Sequence, residues 1–179
     1  MNDTTITTGK VRLSYAHLFT PTTAPGSDKA KYSVSIIIDK NDKATLDKIN
    51  AAIEKAKQVG VVSKWGGKLP KNLKLPLRDG DTDRDDTAYA NSFFFNCSSE
   101  RQPAVVDRGL NAILDPNEVY SGCYARVNVN FYPYDSNGNR GVAVGLNSVQ
   151  KVSDGEMLGS GAPKVEDAFK EDLEDECLE

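Results

Sequence analysis

VYSGCYARVNVNFYPYD at residues 119–135, SNGN at 136–139 and the arm 140–152, RGVAVGLNSVQKV, together decide the fold. In the first arm Ala125, Val127, Val129 and Phe131 alternate with Tyr124, Arg126, Asn128, Asn130 and Tyr132. Alternation with period two is the mark of a strand with one buried face. In the second arm Val142, Val144 and Leu146 alternate with small residues. Asn137-Gly138 between the arms tolerates positive φ, as a tight hairpin turn requires. The pair is therefore read as a long antiparallel hairpin.

Working outward, residues 7–18 read as a first strand, with Val11, Leu13 and Tyr15 on one face and Lys10, Arg12 and Ser14 on the other. Residues 21–30, PTTAPGSDKA, are rich in turn formers and read as a loop. Residues 31–40 alternate again: Tyr32, Val34, Ile36 and Ile38 against Lys31, Ser33 and Ser35. Asn41 or Asp42 then caps a helix in which Leu46, Ile49, Ile53 and Ala56 keep helical spacing, and Gly60 ends it. Residues 64–78 read as an extended basic loop, 78–86 as an acidic turn region, and 91–98 as a strand in which Phe93–Phe95 must send one ring away from the main core. A brief strand is expected at 103–107. Antiparallel strands with one helix indicate a mainly β protein, an OB-fold-like barrel, over residues 1–153. Residues 154–179 read as a flexible linker and acidic tail.

Composition narrows the function. The chain has 179 residues, 39% of them hydrophobic, and no run of about 18 apolar residues that would span a membrane. Its first ten residues lack the basic-then-apolar layout of a secretion signal, so a soluble intracellular protein is expected. Cys97, Cys123 and Cys177 are odd in number and form no C-x-x-C pair, which argues against a disulfide framework or zinc site. The formal charge of −4 conceals a division: residues 154–179 carry a net −8 and residues 1–153 a net +4. A basic body calls for an anionic partner.

Enzyme signatures are sparse. Neither a phosphate-binding loop nor a dinucleotide fingerprint follows any strand, and the single histidine, His17, is a poor basis for a relay or a metal site. No cofactor, metal or catalytic residue is assigned. The best enzymatic alternative is a divalent-metal-dependent nuclease using Asp79, Asp81 and Asp83, although the sixth and twelfth positions do not fit a calcium loop. Binding features are richer. Tyr124, Arg126 and Tyr132 share the outward face of one strand, and exposed rings beside cations suit single-stranded nucleic acid, whose bases stack and whose phosphates carry charge. Lys64, Trp65, Lys68, Lys71, Lys74 and Arg78 add one aromatic among five cations, and Lys10, Arg12 and Lys31 lie on polar strand faces. Equal alternatives are that the tyrosines pack against a loop, that Trp65 plugs the barrel end, and that the tyrosine face docks protein only. The tail, with Glu166, Asp167, Phe169, Asp172 and Asp175, can occupy the basic groove when it is empty.

TGKVRLSY (8–15), KYSVSIIIDK (31–40), PLRDGD (76–81), residues 119–135 and GVAVGLNSVQKVSDGEMLG (141–159) resemble a family of tailed-phage single-stranded DNA-binding proteins, once a domain of unknown function. The resemblance implies an OB-fold, no catalysis, and protection of phage DNA during replication or recombination in the cytoplasm of an infected bacterium. It puts the groove on the barrel face with Arg12, Tyr124, Arg126 and Tyr132. It implies replication or recombination proteins as tail partners, and leaves room for weak duplex binding and a homo-oligomer. Related tails end in an aromatic residue, whereas ten residues follow Phe169 here.

Overall fold

A computed structural model describes residues 4–23, 28–84 and 86–158. The tail residues Glu166, Asp167, Phe169, Asp172 and Asp175, and Cys177, lie outside the described residues. The hairpin that decided the fold is present: β7 (Tyr124–Ser136) and β8 (Asn139–Ser153) pair antiparallel out to Ser136 opposite Asn139. The two-residue turn has Asn137 at φ 51° and Gly138 at φ 84°, the left-handed pair that matches strand twist.

Before it come β1 (Thr5–Thr7), β2 (Val11–Thr23), β3 (Ala30–Asp39), α1 (Lys43–Ser63), β4 (Arg78–Asp79), the one-turn α2 (Gly80–Asp83), β5 (Ser92–Ser99) and β6 (Ala104–Val106). Antiparallel pairs β2–β3, β3–β5, β7–β8 and β2–β7 and the parallel pair β5–β8 close a ring of five strands. That ring is the OB barrel. β1 extends the wall beside β7, β4 adds to β5, and β6 lies parallel to β8.

The barrel interior is filled by Leu13, Ile36, Ile38, Phe95, Val127, Val129 and Phe131, all at most 1% exposed. Burying each such side chain is worth about 1.5–3 kcal/mol. α1 presents Leu46, Ile49, Ala52, Ile53 and Ala56 to this core, as its spacing predicts, and Asp42 caps it by accepting from the Thr45 amide at 3.2 Å. Cys97 and Cys123 are buried and unbridged, and burial pushes both thiols up.

Four expectations are corrected. The helix does not stop at Gly60: it runs to Ser63, and Gly60 is buried where a Cβ would lie 2.6 Å from the Trp65 ring. β2 continues through Pro21, which falls in a gap of the β2–β3 register, so its missing N–H costs no ladder bond. Tyr15 does not join Val11 and Leu13: a bulge between Ser14 and His17 switches the inward parity to Ala16 and Leu18. Finally, the body extends past 153, because residues 154–158 fold back as a strap. The Leu158 amide donates to the Ser121 carbonyl (2.8 Å), and Arg12 Nη2 donates to the Glu156 carbonyl (2.7 Å). No helix among the described residues is long and apolar enough to cross a membrane.

Candidate nucleic-acid interface

Register defines the outer face of β2, β3 and β5 as three rows. Arg12, Ile37, Phe94 and Arg78 form the first; Ser14, Ser35 and Asn96 the second; His17, Ser33 and Ser98 the third. The first row is closed over. Ile37, Phe94 and Tyr89 make a small apolar cluster, with the Tyr89 and Phe94 rings edge-on at 5.0 Å, and Leu158 packs against it. Phe94 is thus the ring that leaves the main core, but neighbours bury it completely. Tyr89 Oη donates to Ser35 Oγ at 3.1 Å.

In the second row Ser14 and Ser35 are buried, whereas Asn96 and the third row stay accessible and form the floor of a trough. Tyr15, His17, Thr22 and Arg84 line one half with Ser33, Ser35 and Asn96. Lys74, Arg78, Tyr132 and Tyr134 line the other with Asn96 and Ser98. Asn96 lines both halves, so the two adjoin at β5. Neither half has Asp or Glu among its lining residues. The floor is made of small polar side chains, and the walls carry three cations and three tyrosines.

Each wall residue is held by its local structure. Tyr15 adopts φ 47°, a rare conformation for a bulky residue, which throws its ring outward to 54% exposure. The next amide, Ala16, anchors the bulge by donating to Ser121 Oγ at 3.0 Å. The Arg84 guanidinium lies 5.6, 5.3 and 5.1 Å from the ring centroids of Tyr15, Tyr89 and Phe94. Lys74 is stitched to the hairpin, its amide donating to Arg140 O (3.0 Å) and its carbonyl accepting from Val142 (2.9 Å). Tyr132 is 41% exposed.

The residues singled out from sequence separate into groups. Lys74, Arg78 and Tyr132 meet in the trough. Lys31 stands opposite Thr22 in the β2–β3 register, at the trough's rim. Lys64, Lys68 and Lys71 are exposed beyond the end of α1. Lys10, Arg12 and Tyr124 form a separate group, with the cations 4.8 and 5.6 Å from the Tyr124 ring centroid and Arg12 tied to the Gly122 and Glu156 carbonyls. Arg126 is exposed and donates to the Thr8 carbonyl at 3.3 Å. Tyr124 lies eight residues from Tyr132 along β7, up to about 26 Å at ~3.3 Å per residue, and does not line the half of the trough that Tyr132 lines. Trp65 is corrected outright. At 4% exposure it closes the barrel end, its Nε1 donating to the Tyr134 carbonyl at 3.1 Å, and offers no free face to a base.

Sequence reasoning missed Tyr15, Arg84, His17 and Asn96 as groove residues. The signal for Tyr15 was present: apolar positions shift from odd (Val11, Leu13) to even (Ala16, Leu18), which betrays a bulge. The carboxylates once considered for a metal have other partners. Lys40 pairs with Asp79 (3.0 Å) and Asp81 (2.7 Å), and Arg78 with Asp83 (3.2 Å). Among the described residues no group of three or more His, Cys, Asp or Glu is placed to hold a metal ion.

A closed five-stranded barrel with a polar trough over its second and third strands defines an OB-fold protein, a class that binds oligonucleotides on this face. Residues 4–178 match the family described as Enterobacter phage Enc34, ssDNA-binding protein, and the chain belongs to that family. It is similar to the putative protein p50 of Acyrthosiphon pisum secondary endosymbiont phage 1, 33% identical over 168 residues covering 88% of each chain. The solved single-stranded DNA-binding protein from bacteriophage Enc34, in complex with ssDNA, superposes with a TM-score of 0.77 at 25% identity, over 88% of this chain and 91% of that one. The single-stranded DNA-binding protein encoded by bacteriophage T7 shares the fold, with a TM-score of 0.60 at 19% identity over 93% of each chain.

Proposed function

We propose that this protein binds single-stranded DNA in the trough with little regard to sequence and so protects phage DNA during replication or recombination in the host cytoplasm. The carrying observation is the pairing of exposed Tyr15 and Tyr132 with Lys74, Arg78 and Arg84 around a floor of small polar residues. Rings stack on any base, at about 1–3 kcal/mol each. Two stacked bases then contribute about 2–6 kcal/mol, and the three cations add a salt-dependent share. The family and the DNA-bound Enc34 relative support this reading.

The chain acts as a binding module without a chemical step of its own, since its clustered carboxylates are occupied by Lys40 and Arg78. The acidic residues beyond 158 compete with DNA for the cations and are the natural contact for replication proteins. Fluorescence anisotropy with an oligo-dT tests the reading. Salt-sensitive binding is expected, with a slope of about −2 in log K against log salt if three cations meet phosphates. Absence of binding at low salt, or magnesium-dependent degradation of the oligonucleotide, overturns it.

A further inference from the structure

Of the motif PLRDGD, Asp79, Gly80 and Asp81 are not absorbed by the groove, yet each has a structural partner. We infer that Asp81, through Lys40, is a positioning residue for DNA binding, holding Arg84 over the trough; this rests on the trough being the DNA site.

The segment from Arg78 to Arg84 runs from one half of the trough to the other. Arg78 lines one half and Arg84 the other. Between them the chain is fastened by two sets of ion pairs, Lys40 with Asp79 and Asp81, and Arg78 with Asp83 at 3.2 Å. Lys40, at the end of β3, reaches Asp79 at 3.0 Å and Asp81 at 2.7 Å, and its own amide donates to the Asn91 carbonyl at 3.0 Å. Asp81 in turn accepts from the Asn91 amide at 2.9 Å, and Asp79 accepts from the Asp81 amide, capping the single turn of α2. A Cβ at Gly80 would collide with the backbone oxygens of Tyr89 and Ser92, so the turn lies flat against the start of β5. Arg84 follows this turn directly and is steered onto the Tyr15, Tyr89 and Phe94 rings. Two carboxylates beside a polyanion site would ordinarily repel the ligand. Here each is matched to Lys40, and their net effect is to aim a cation.

The sign of one substitution separates this role from simple electrostatics. Asp81→Asn removes a negative charge, which by itself tightens DNA binding. It keeps an acceptor for Asn91 but breaks the ion pair. The full chain and its D81N, R84A and D81N/R84A variants are titrated with oligo-dT by anisotropy, with D47N, an exposed helix carboxylate, as the charge control. D81N is expected to weaken binding at least threefold while D47N leaves it equal or slightly tighter. In the R84A background D81N is expected to add less than twofold, because the two act through one contact. If the wild type binds and D81N binds equally or more tightly, the positioning role is wrong while the trough stands. Additive losses in the double variant also exclude Arg84 as the group positioned. If the wild type fails to bind, the trough reading itself falls. Thermal unfolding of each variant confirms that all are folded at the assay temperature; should D81N not be, Lys40→Arg, which keeps the pair, must bind within twofold of wild type for the inference to survive.

Discussion

Tyr15 and Trp65 show what local surroundings decide. Tyr15 stands in phase with Val11 and Leu13 and would be counted inside; Trp65, among glycines and lysines, reads equally as a base-stacking ring and as a plug for the barrel end. A single bulge ejects the first, and a close fit to Gly60 and the Tyr134 carbonyl draws in the second. Holding a tyrosine at φ 47° costs of order 1–3 kcal/mol, and such strain is often kept where a side chain must face a ligand. Tyr15→Ala is expected to lose about 1–3 kcal/mol of oligo-dT affinity by anisotropy, with Tyr124→Ala losing distinctly less, since Lys10 and Arg12 already cover that ring. Trp65 fluorescence is expected to resist iodide quenching in the free protein, and Trp65→Ala to destabilise the fold by about 3–5 kcal/mol in denaturant unfolding.

Among elements, the β7–β8 hairpin was fully legible, because alternation and Asn137-Gly138 speak with one voice. The helix was legible along its face but not at its end: Gly60 resembles a stop in sequence, and only the Trp65 ring explains why a glycine stands inside. The Arg78–Asp86 segment reads as an acidic turn region, since its partner, Lys40, lies across the sheet and leaves no local signal. Gly80→Ala is expected to lower stability by about 2 kcal/mol, a melting shift of roughly 4–8 °C. The pH dependence of the ion pairs follows from their direction. The hydrogen bonds from Lys40, with smaller help from backbone amides, hold the Asp79 and Asp81 carboxyls below their ordinary range, and Lys40 is raised by the same two partners. Their stabilisation is therefore complete above the usual carboxylate value of about 3.9, is lost as pH falls through the depressed folded values, and fades on the alkaline side only above about 10.4. The stability gap between wild type and D81N, read from urea midpoints, is expected to be flat from about pH 5 to 9 and to close in acid.

For the whole molecule, the class of fold could be read from the run of strands and the absence of alternating helices, but not how the ring closes. Closure depends on one parallel contact, Ser98 opposite Gly145, between strands far apart in the chain. The same non-local pairing shapes the proposed groove. Sequence points along β7, where tyrosines and cations alternate; the proposed trough lies where β3 and β5 run side by side with serines facing out. The charge division was legible and still points to a polyanion. Removing residues 159–179 is expected to tighten oligo-dT binding, most at low salt, in anisotropy titrations. A cut after Val152 would also strip the strap from Arg12 and Ser121, so its effect on affinity would mix two causes.

The strap also fixes where the acidic segment begins. Leu158 sits against the cluster that Arg84 caps, so the last 21 residues start within reach of the trough they are proposed to contest. Tethered rivals act at a local concentration in the millimolar range, whatever the dilution of the protein. Self-competition of the kind proposed would therefore be the same in a crowded host and a dilute cuvette. A free peptide of residues 159–179 is expected to restore it to the truncated chain only near millimolar amounts, measured as the concentration that halves oligo-dT binding.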